Sequence, residues 1–418
     1  MKNIKISVIG LGYVGLPLAI EFSKHYNVTG FDIDEERINE LSNDFDRTDE
    51  VTPQTLKHSK NIIYTSDKDK IKDSNVYIIT VPTPVDHFKK PNLSFLKSAT
   101  ASIGEILKKN DIVIYESTVY PGCTEEICVP ILEDKSKLKF NLDFFCGYSP
   151  ERINPGDKLN TLSKIIKVTS GSTNEIANFV DTLYSKIITA GTYKASSIKV
   201  AEASKAIENA QRDLNISFMN ELSLIFDKME IDTMEVIDAA STKWNFLKFK
   251  PGLVGGHCIS VDPYYLTYKS ESLGYYPEVI LSGRRVNEAI PHFISSKCVK
   301  LMIKKDIKIK SSNALILGIT FKENCPDIRN SKAPIIFNDL KEFGLNVDIF
   351  DPYANPDEVY EEYGLKLIKE IKTKYELIIL AVAHDKFLQI DYEGIRKKTS
   401  VLFDLKSILD KDIVDSRL

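Results

Sequence analysis

At 418 residues the chain is longer than one ordinary hydrophobic core covers, so two or three domains are expected. A hydrophobic fraction of 43% with 27% charged residues belongs to a globular enzyme, and a formal net charge of -4 excludes a general nucleic-acid binder with a basic face. The start MKNIKISVIG turns directly into a strand and has neither an apolar segment nor a small-residue cleavage site. No stretch is long and apolar enough for a bilayer, so a cytoplasmic protein with no membrane partner is expected.

The first half alternates short apolar runs with helical patterns. Ile4–Ile9 reads as a buried strand, Pro17–Lys24 as the helix after it, and Val28–Phe31, Val76–Val81 and Ile112–Tyr115 as further strands, with Phe144–Gly147 closing the series. That alternation predicts a parallel sheet covered on both faces. From Gly191 to Pro251 the chain then has neither glycine nor proline between those ends, which favours long helices. Val200, Ala203, Ile207, Ala210, Leu214, Phe218, Leu222 and Ile225 recur at steps of three and four, so one helix carries them as an apolar stripe. A core helix accounts for that stripe, and exposed apolar faces of the middle helices predict a homodimer. From Asn313 a second doubly wound unit follows, with strands at Ala314–Leu317, Val347–Phe350, Leu377–Val382 and Val401–Phe403 and no glycine fingerprint. The fold class expected is α/β: two Rossmann-like doubly wound domains joined by a long central helix and a helical middle domain.

Gly10-Leu11-Gly12-Tyr13-Val14-Gly15 is GxGxxG directly after a strand and opening a helix. The first glycine permits the tight turn, the second lets a pyrophosphate approach the backbone, and the third lets helix and sheet pack closely. The helix N-terminus supplies N–H groups and a partial positive charge for the diphosphate. The second strand ends in Asp32, placed to hold ribose hydroxyls, and its charge would repel a 2′-phosphate. NAD is therefore expected rather than NADP, although Arg37 nearby is the type of residue that accepts such a phosphate. The loops Pro82-Thr83-Pro84 and Ser117-Thr118 follow two other strands and are expected to line the nicotinamide side.

Six cysteines contain no CxxC pair, so neither a disulfide framework nor a zinc site is expected, and no metal is assigned. Most read as small buried hydrophobes. Cys258 stands apart because Gly255 and Gly256 precede it and Asp262 follows four residues later. A thiolate there would be an effective nucleophile if nearby cations lowered its pKa. Lys205 and Asn209, at i and i+4 on the long helix, could stabilise an oxyanion on a sugar carbon. The alternatives at each position are a buried structural cysteine and a solvated surface lysine.

The segments GLGYVGLPLA, ESTVYPG, GYSPERINPGD, KVAEASKAIENAQRDLNISFMNE, FKPGLVGGHCISVDPYYL and FKENCPDIRNS together resemble the UDP-glucose/GDP-mannose dehydrogenase family over essentially the whole chain. Within it, SPERINPGD and GGHC…VDPYYL are similar to the UDP-N-acetylhexosamine branch, and the wording is nearest to its N-acetylglucosamine members. The resemblance implies an NAD-binding domain at 1–195, a central helical dimerisation domain at 196–300, and a C-terminal UDP-sugar-binding domain at 310–418. It also implies a four-electron oxidation of a sugar C6 alcohol to a carboxylate through a cysteine thiohemiacetal and thioester, for surface polysaccharide synthesis. UDP-N-acetylglucosamine is the substrate implied, with the galactosamine or mannosamine epimer as the alternative.

By the match of motifs, Cys258 is the nucleophile, Lys205 and Asn209 stabilise the oxyanion, and Asp262 positions water and tunes the lysine. Glu151 is the base and Thr118 assists through water. Lys322 contacts the UDP-sugar and Arg329 the cofactor. The remaining substrate-binding residues are Arg152, Ile153, Asn154, Phe249, Gly255 and Gly256, with Arg152 suspected of reading the N-acetyl group and Lys406 of reaching the uridine. Serine stands at 260, where many relatives carry proline.

Two other enzyme readings are weaker. A simple hydroxyacid-type dehydrogenase leaves the Cys258 loop unexplained. Tyr64 with Lys68 and Tyr265 with Lys269 match a short-chain dehydrogenase pair, but the first comes too early and the second is expected outside the cofactor domain. From another class, an inactive nucleotide-sugar-binding protein would have no reason to keep the cysteine, lysine, asparagine and both acids.

Overall fold

The computed structural model describes residues 3–86, 88–153, 161–256 and 259–418. The chain divides into two compact units, Met1–Glu208 with Tyr264–Tyr275, and Asn209–Pro263 with Tyr276–Leu418.

In the first unit the strands are β1 (Lys5–Ile9), β2 (Asn27–Phe31), β3 (Ile62–Thr65), β4 (Val76–Ile79), β5 (Ile112–Tyr115), β6 (Phe145–Tyr148), β7 (Lys167–Gly171) and β8 (Thr192–Lys194). They form one sheet in the order β3-β2-β1-β4-β5-β6-β7-β8. Pairing is parallel except between β6 and β7. The first six strands have the 3-2-1-4-5-6 order that leaves a ligand crevice beside β1. β4 and β5 are buried at every position, as continuous apolar runs in a doubly covered sheet should be. Helices Gly15–Ser23 and Asn174–Ser185 contribute Leu16, Phe22, Val180 and Tyr184 to the core around them.

The apolar runs predict a series closing at Phe144–Gly147, but β7 and β8 follow. β7, KVTSG, was illegible because its buried positions are largely polar. Each is satisfied internally: Lys167 by two carboxylates, Thr169 by Asp181 at 2.7 Å, and Ser170 by the Tyr148 carbonyl at 2.7 Å.

The helix Ile198–Met229 begins in the first unit and ends in the second. Its period was read correctly and its inner face was not. Of the expected core stripe, only Ala210 is buried, whereas Ile207 is 56% and Phe218 53% exposed. The buried positions instead include Glu202, Lys205, Asn209, Asp213, Ser217 and Asn220. These also recur at steps of three and four, so periodicity alone could not say which face was covered.

In the second unit, β9 (Asn313–Leu317), β10 (Asn346–Phe350), β11 (Tyr375–Leu380), β12 (Arg396–Asp404) and β13 (Ser416–Arg417) form a parallel sheet in the order β10-β9-β11-β12-β13. This is the second doubly wound unit expected, with β13 added at the edge. Helix Glu278–Lys304 packs Ile290, Ile294, Cys298 and Met302 into its core. Cys123, Cys128, Cys146, Cys298 and Cys325 are free and buried, as small hydrophobes should be.

Candidate active site

The turn after β1 is shaped by its glycines. Gly10 has φ +93, and a Cβ on Gly15 would stand 1.8 Å from the Gly10 carbonyl oxygen, so no side chain fits there. A Cβ on Gly12 would meet nothing within 4 Å, which leaves its outer side open for a diphosphate. Val14 precedes the helix without a side-chain cap. Asp32 is half-buried, and its Oδ2 accepts the Leu11 N–H at 2.7 Å, tying the acid to the glycine turn that carries Tyr13. These residues fit a dinucleotide.

Arg37 is buried and its guanidinium is engaged. Nε donates to the Leu11 carbonyl at 3.0 Å and Nη2 pairs with Asp46 at 2.6 Å, so Arg37 braces the glycine turn from beneath. Burial would raise the Asp46 carboxyl, but hydrogen bonds from Arg37, Thr48 and Val51 outweigh it and hold Asp46 below the usual value.

The loops beyond β4 and β5 are joined. Thr83 Oγ1 donates to the Thr118 carbonyl at 2.7 Å, and Ser117 Oγ to the Val81 carbonyl at 2.6 Å, which fixes the run Pro82-Thr83-Pro84 against Ser117-Thr118. Tyr265 packs in the first unit. Its hydroxyl donates to the Thr83 carbonyl at 2.7 Å, a structural tie that only the fold reveals.

Glu151 follows β6, and its Oε1 accepts the N–H groups of Arg152 and Ile153, each at 2.6 Å. The Arg152 guanidinium is held by Glu208 at 2.9 Å and by the Ile166 carbonyl at 2.7 Å. Lys167 Nζ lies 2.6 Å from Glu116 and 3.0 Å from Glu151. Burial, only partly offset by Lys167, pushes the Glu116 carboxyl up to about 7. Sequence reading missed Lys167 and Glu116, because each alone looks like a surface charge.

In the second unit, Asp262 opens helix Asp262–Ser272 and accepts the Asn209 side-chain amide at 2.5 Å, pairing two of the expected residues. Lys205 is buried one turn earlier in the long helix. Gly256 donates its N–H to the Arg329 carbonyl at 3.2 Å and has φ +84, with the Phe321 ring packed against it. Cys258 and Asn154 lie outside the described residues. Leu253, Gly255, Phe321, Lys322, Lys332 and Lys406 line one small pocket. Among the described residues the Lys406 ammonium has no hydrogen-bond partner, and burial followed by Lys250 nearby lowers its pKa. Arg329 pairs with Asp327, and Phe249 packs on Met219, Met234 and Ile237.

The turn after β9 repeats the turn after β1. Gly318 N–H donates to the Phe350 carbonyl at 2.9 Å and Ile319 N–H to Asp351 at 2.7 Å, matching Gly10 with Phe31 and Leu11 with Asp32. Asp351, however, is buried against His384 at 3.1 Å, and its other oxygen accepts the Tyr353 and Ala354 N–H groups. Asp351 is therefore not open to a ribose there.

The NAD binding domain of the UDP-glucose/GDP-mannose dehydrogenase family matches residues 4–188, its central domain 199–289 and its UDP binding domain 315–411. The chain belongs to the UDP-glucose/GDP-mannose dehydrogenase family. It is an NAD-dependent dehydrogenase of that family, and the small pocket with Lys322 and Lys406 falls in the region of the UDP binding domain. It is 54% identical to UDP-N-acetyl-D-glucosamine 6-dehydrogenase of Salmonella typhi, over 100% of this chain and 99% of that protein. It is 56% identical to the protein of the same name from Pseudomonas aeruginosa, over 100% of both. Among solved structures, the UDP-D-ManNAc dehydrogenase of Pyrococcus horikoshii superposes with TM-score 0.88 at 28% identity, covering 99% of this chain and 98% of that one.

Proposed function

We propose that this family member oxidises the C6 hydroxyl of UDP-N-acetylglucosamine to the carboxylate, supplying an acidic nucleotide sugar for surface polysaccharide. Full-length likeness to two relatives of that name carries the reading. The presence of Lys205, Asn209, Cys258 and Asp262 supports it. Gly10, Gly12, Gly15 and Asp32 would hold NAD, which when bound accepts one hydride in each oxidation.

Loss of a hydride from C6 and of the hydroxyl proton turns the alcohol into an aldehyde. The Cys258 thiolate adds to that carbon, forming a C–S bond, and the resulting oxyanion takes a proton to give the thiohemiacetal. Loss of a second hydride and a proton gives the thioester. Water then forms the new C–O bond, its proton goes to Glu151, and the C–S bond breaks to return the thiolate. A four-electron oxidation without aldehyde release needs such an anchor, and sulfur serves as both nucleophile and leaving group. The Lys205 ammonium and the Asn209 amide, itself oriented by Asp262, would stabilise the oxyanions.

Lys322 and Lys406 would meet the UDP moiety, since ammonium groups lining a pocket suit a diphosphate. The exposed stripe of Val200, Ile207, Phe218 and Ile225 supports a homodimer, and a cytoplasmic location belongs to the same reading. Offering UDP-N-acetylglucosamine, UDP-N-acetylgalactosamine and UDP-N-acetylmannosamine with NAD tests the substrate. The glucosamine compound should have the highest kcat/KM, and a preference for either epimer would reject the assignment.

A further inference from the structure

Glu151, the base in the reaction described above, sits in a buried charge network whose other members that reaction does not use. Its members come from four elements of the first unit: Glu116 after β5, Glu151 after β6, Lys167 on β7, and Tyr184 on helix Asn174–Ser185. Lys167, Glu116 and Tyr184 are almost fully excluded from solvent, and Glu151 nearly so. Lys167 Nζ donates to Glu116 Oε2 at 2.6 Å and to Glu151 Oε2 at 3.0 Å. The Tyr184 hydroxyl donates to the second Glu116 oxygen, and the Lys167 ammonium stands 5.7 Å from the Tyr184 ring centre. Two other charged groups nearby are engaged elsewhere: Arg152 with Glu208 and the Ile166 carbonyl, and Asp181 with Thr169.

An ionised carboxylate has about four acceptor positions. At Glu151, the Arg152 and Ile153 N–H groups use two on Oε1, and Lys167 uses one on Oε2. Among the described residues, the acceptor position left for a proton is therefore on Oε2, beside the lysine. A base in this position changes charge in each catalytic cycle. If Lys167 had Glu151 as its sole partner, every protonation would leave a buried ammonium uncompensated, which is strongly unfavourable. Glu116 removes that difficulty, because it keeps Lys167 paired whether or not Glu151 carries a proton.

We propose that Lys167 is a positioning residue for Glu151, directing its one open acceptor site, and that Glu116 is the standing counterion that lets Glu151 gain and lose a proton without stranding a buried charge. The proposal rests on the reading of Glu151 as the base. Burial raises the Glu116 carboxyl to about 7, so Glu116 serves as this counterion above that pH, where it is ionised.

The test is the pH profile of kcat for acid formation from UDP-N-acetylglucosamine and NAD. Above about pH 7, where Glu116 is ionised, Glu116→Gln removes a negative charge near Glu151 and should move the acid limb down by roughly one pH unit. Lys167→Met removes the positive charge and should move it up by a similar amount, while Lys167→Arg should restore the wild-type position. KM for both substrates should stay within about twofold, because uniform binding is untouched.

Shifts in the same direction, no shift, or a change in KM alone would overturn the proposal. If Lys167→Met does not fold, Glu116→Gln against Lys167→Arg decides: a lowered limb in the first and an unmoved limb in the second supports it, and any other pattern rejects it. Glu151→Gln separates the two levels. Wild-type turnover in that variant removes the base assignment itself, whereas an inactive Glu151→Gln with unmoved limbs elsewhere removes the network proposal alone.

Discussion

Asp213 and Arg284 show how much of this chain depends on single buried charges. They lie 2.6 Å apart with almost no solvent contact, and Asn287 donates its amide to the same carboxylate at 2.7 Å. Arg284→Ala would leave Asp213 charged and uncompensated, so it should destabilise the protein by about 3–5 kcal/mol, read from denaturant midpoints. The glycine turn gives a contrasting pair. Gly15→Ala would collide with the Gly10 carbonyl oxygen and should fail to fold or bind NAD. Gly12→Ala meets nothing in the protein, so stability should change by less than about 0.5 kcal/mol while KM for NAD rises. The residues that stand out in the sequence are those that come as contiguous motifs, such as Gly10 to Gly15, Asp32 and the Gly255–Asp262 loop. Glu116, Lys167 and Tyr184 were not legible, because their meaning lies in proximity across separate elements.

The long helix is the element on which sequence and structure differ most. Its apolar period predicted a core stripe, yet the covered face carries many polar residues, and these include members of tight pairs such as Asn209 with Asp262 and Asp213 with Arg284. A buried polar face persists only where its partners are satisfied, and those partners lie far away in sequence. In the proposed homodimer, the apolar face turned outward is where the second chain would pack. Ile207→Glu with Phe218→Glu should convert a dimer to monomers in sedimentation or light scattering, while leaving the monomer folded. Strands were legible where they are continuous apolar runs, as in β4, β5, β9 and β11. β3, β7 and β8 were not: β3 exposes Ile63, β7 is largely polar, and β8 is a short edge strand.

Across the whole molecule, buried acids fall into two opposed sets. Burial raises Glu116 and Glu202 to about 7, against partial compensation by Lys167 and by backbone N–H groups respectively. Such a group binds its proton more tightly when folded, so its contribution to stability is complete below the unfolded pKa and is lost as pH rises through about 7. Asp46 and Asp351 are opposite: hydrogen bonds outweigh burial and hold them low, so their contribution is lost as pH falls below the ordinary carboxylate range. The Tm advantage of the wild type over Glu202→Gln should therefore shrink steadily from about pH 5 to pH 8. The division of labour rests on the two repeated turns. One leaves Asp32 half-exposed beside an open glycine, while the other buries Asp351 against His384. The central claim is that Cys258 retains the C6 carbon between two oxidations, and stoichiometry tests it directly. NADH formed per UDP-N-acetylglucosamine consumed should be two for the wild type, and Cys258→Ser should still bind NAD and the sugar nucleotide but form no acid. One NADH per sugar, or unchanged acid formation by Cys258→Ser, would contradict the account.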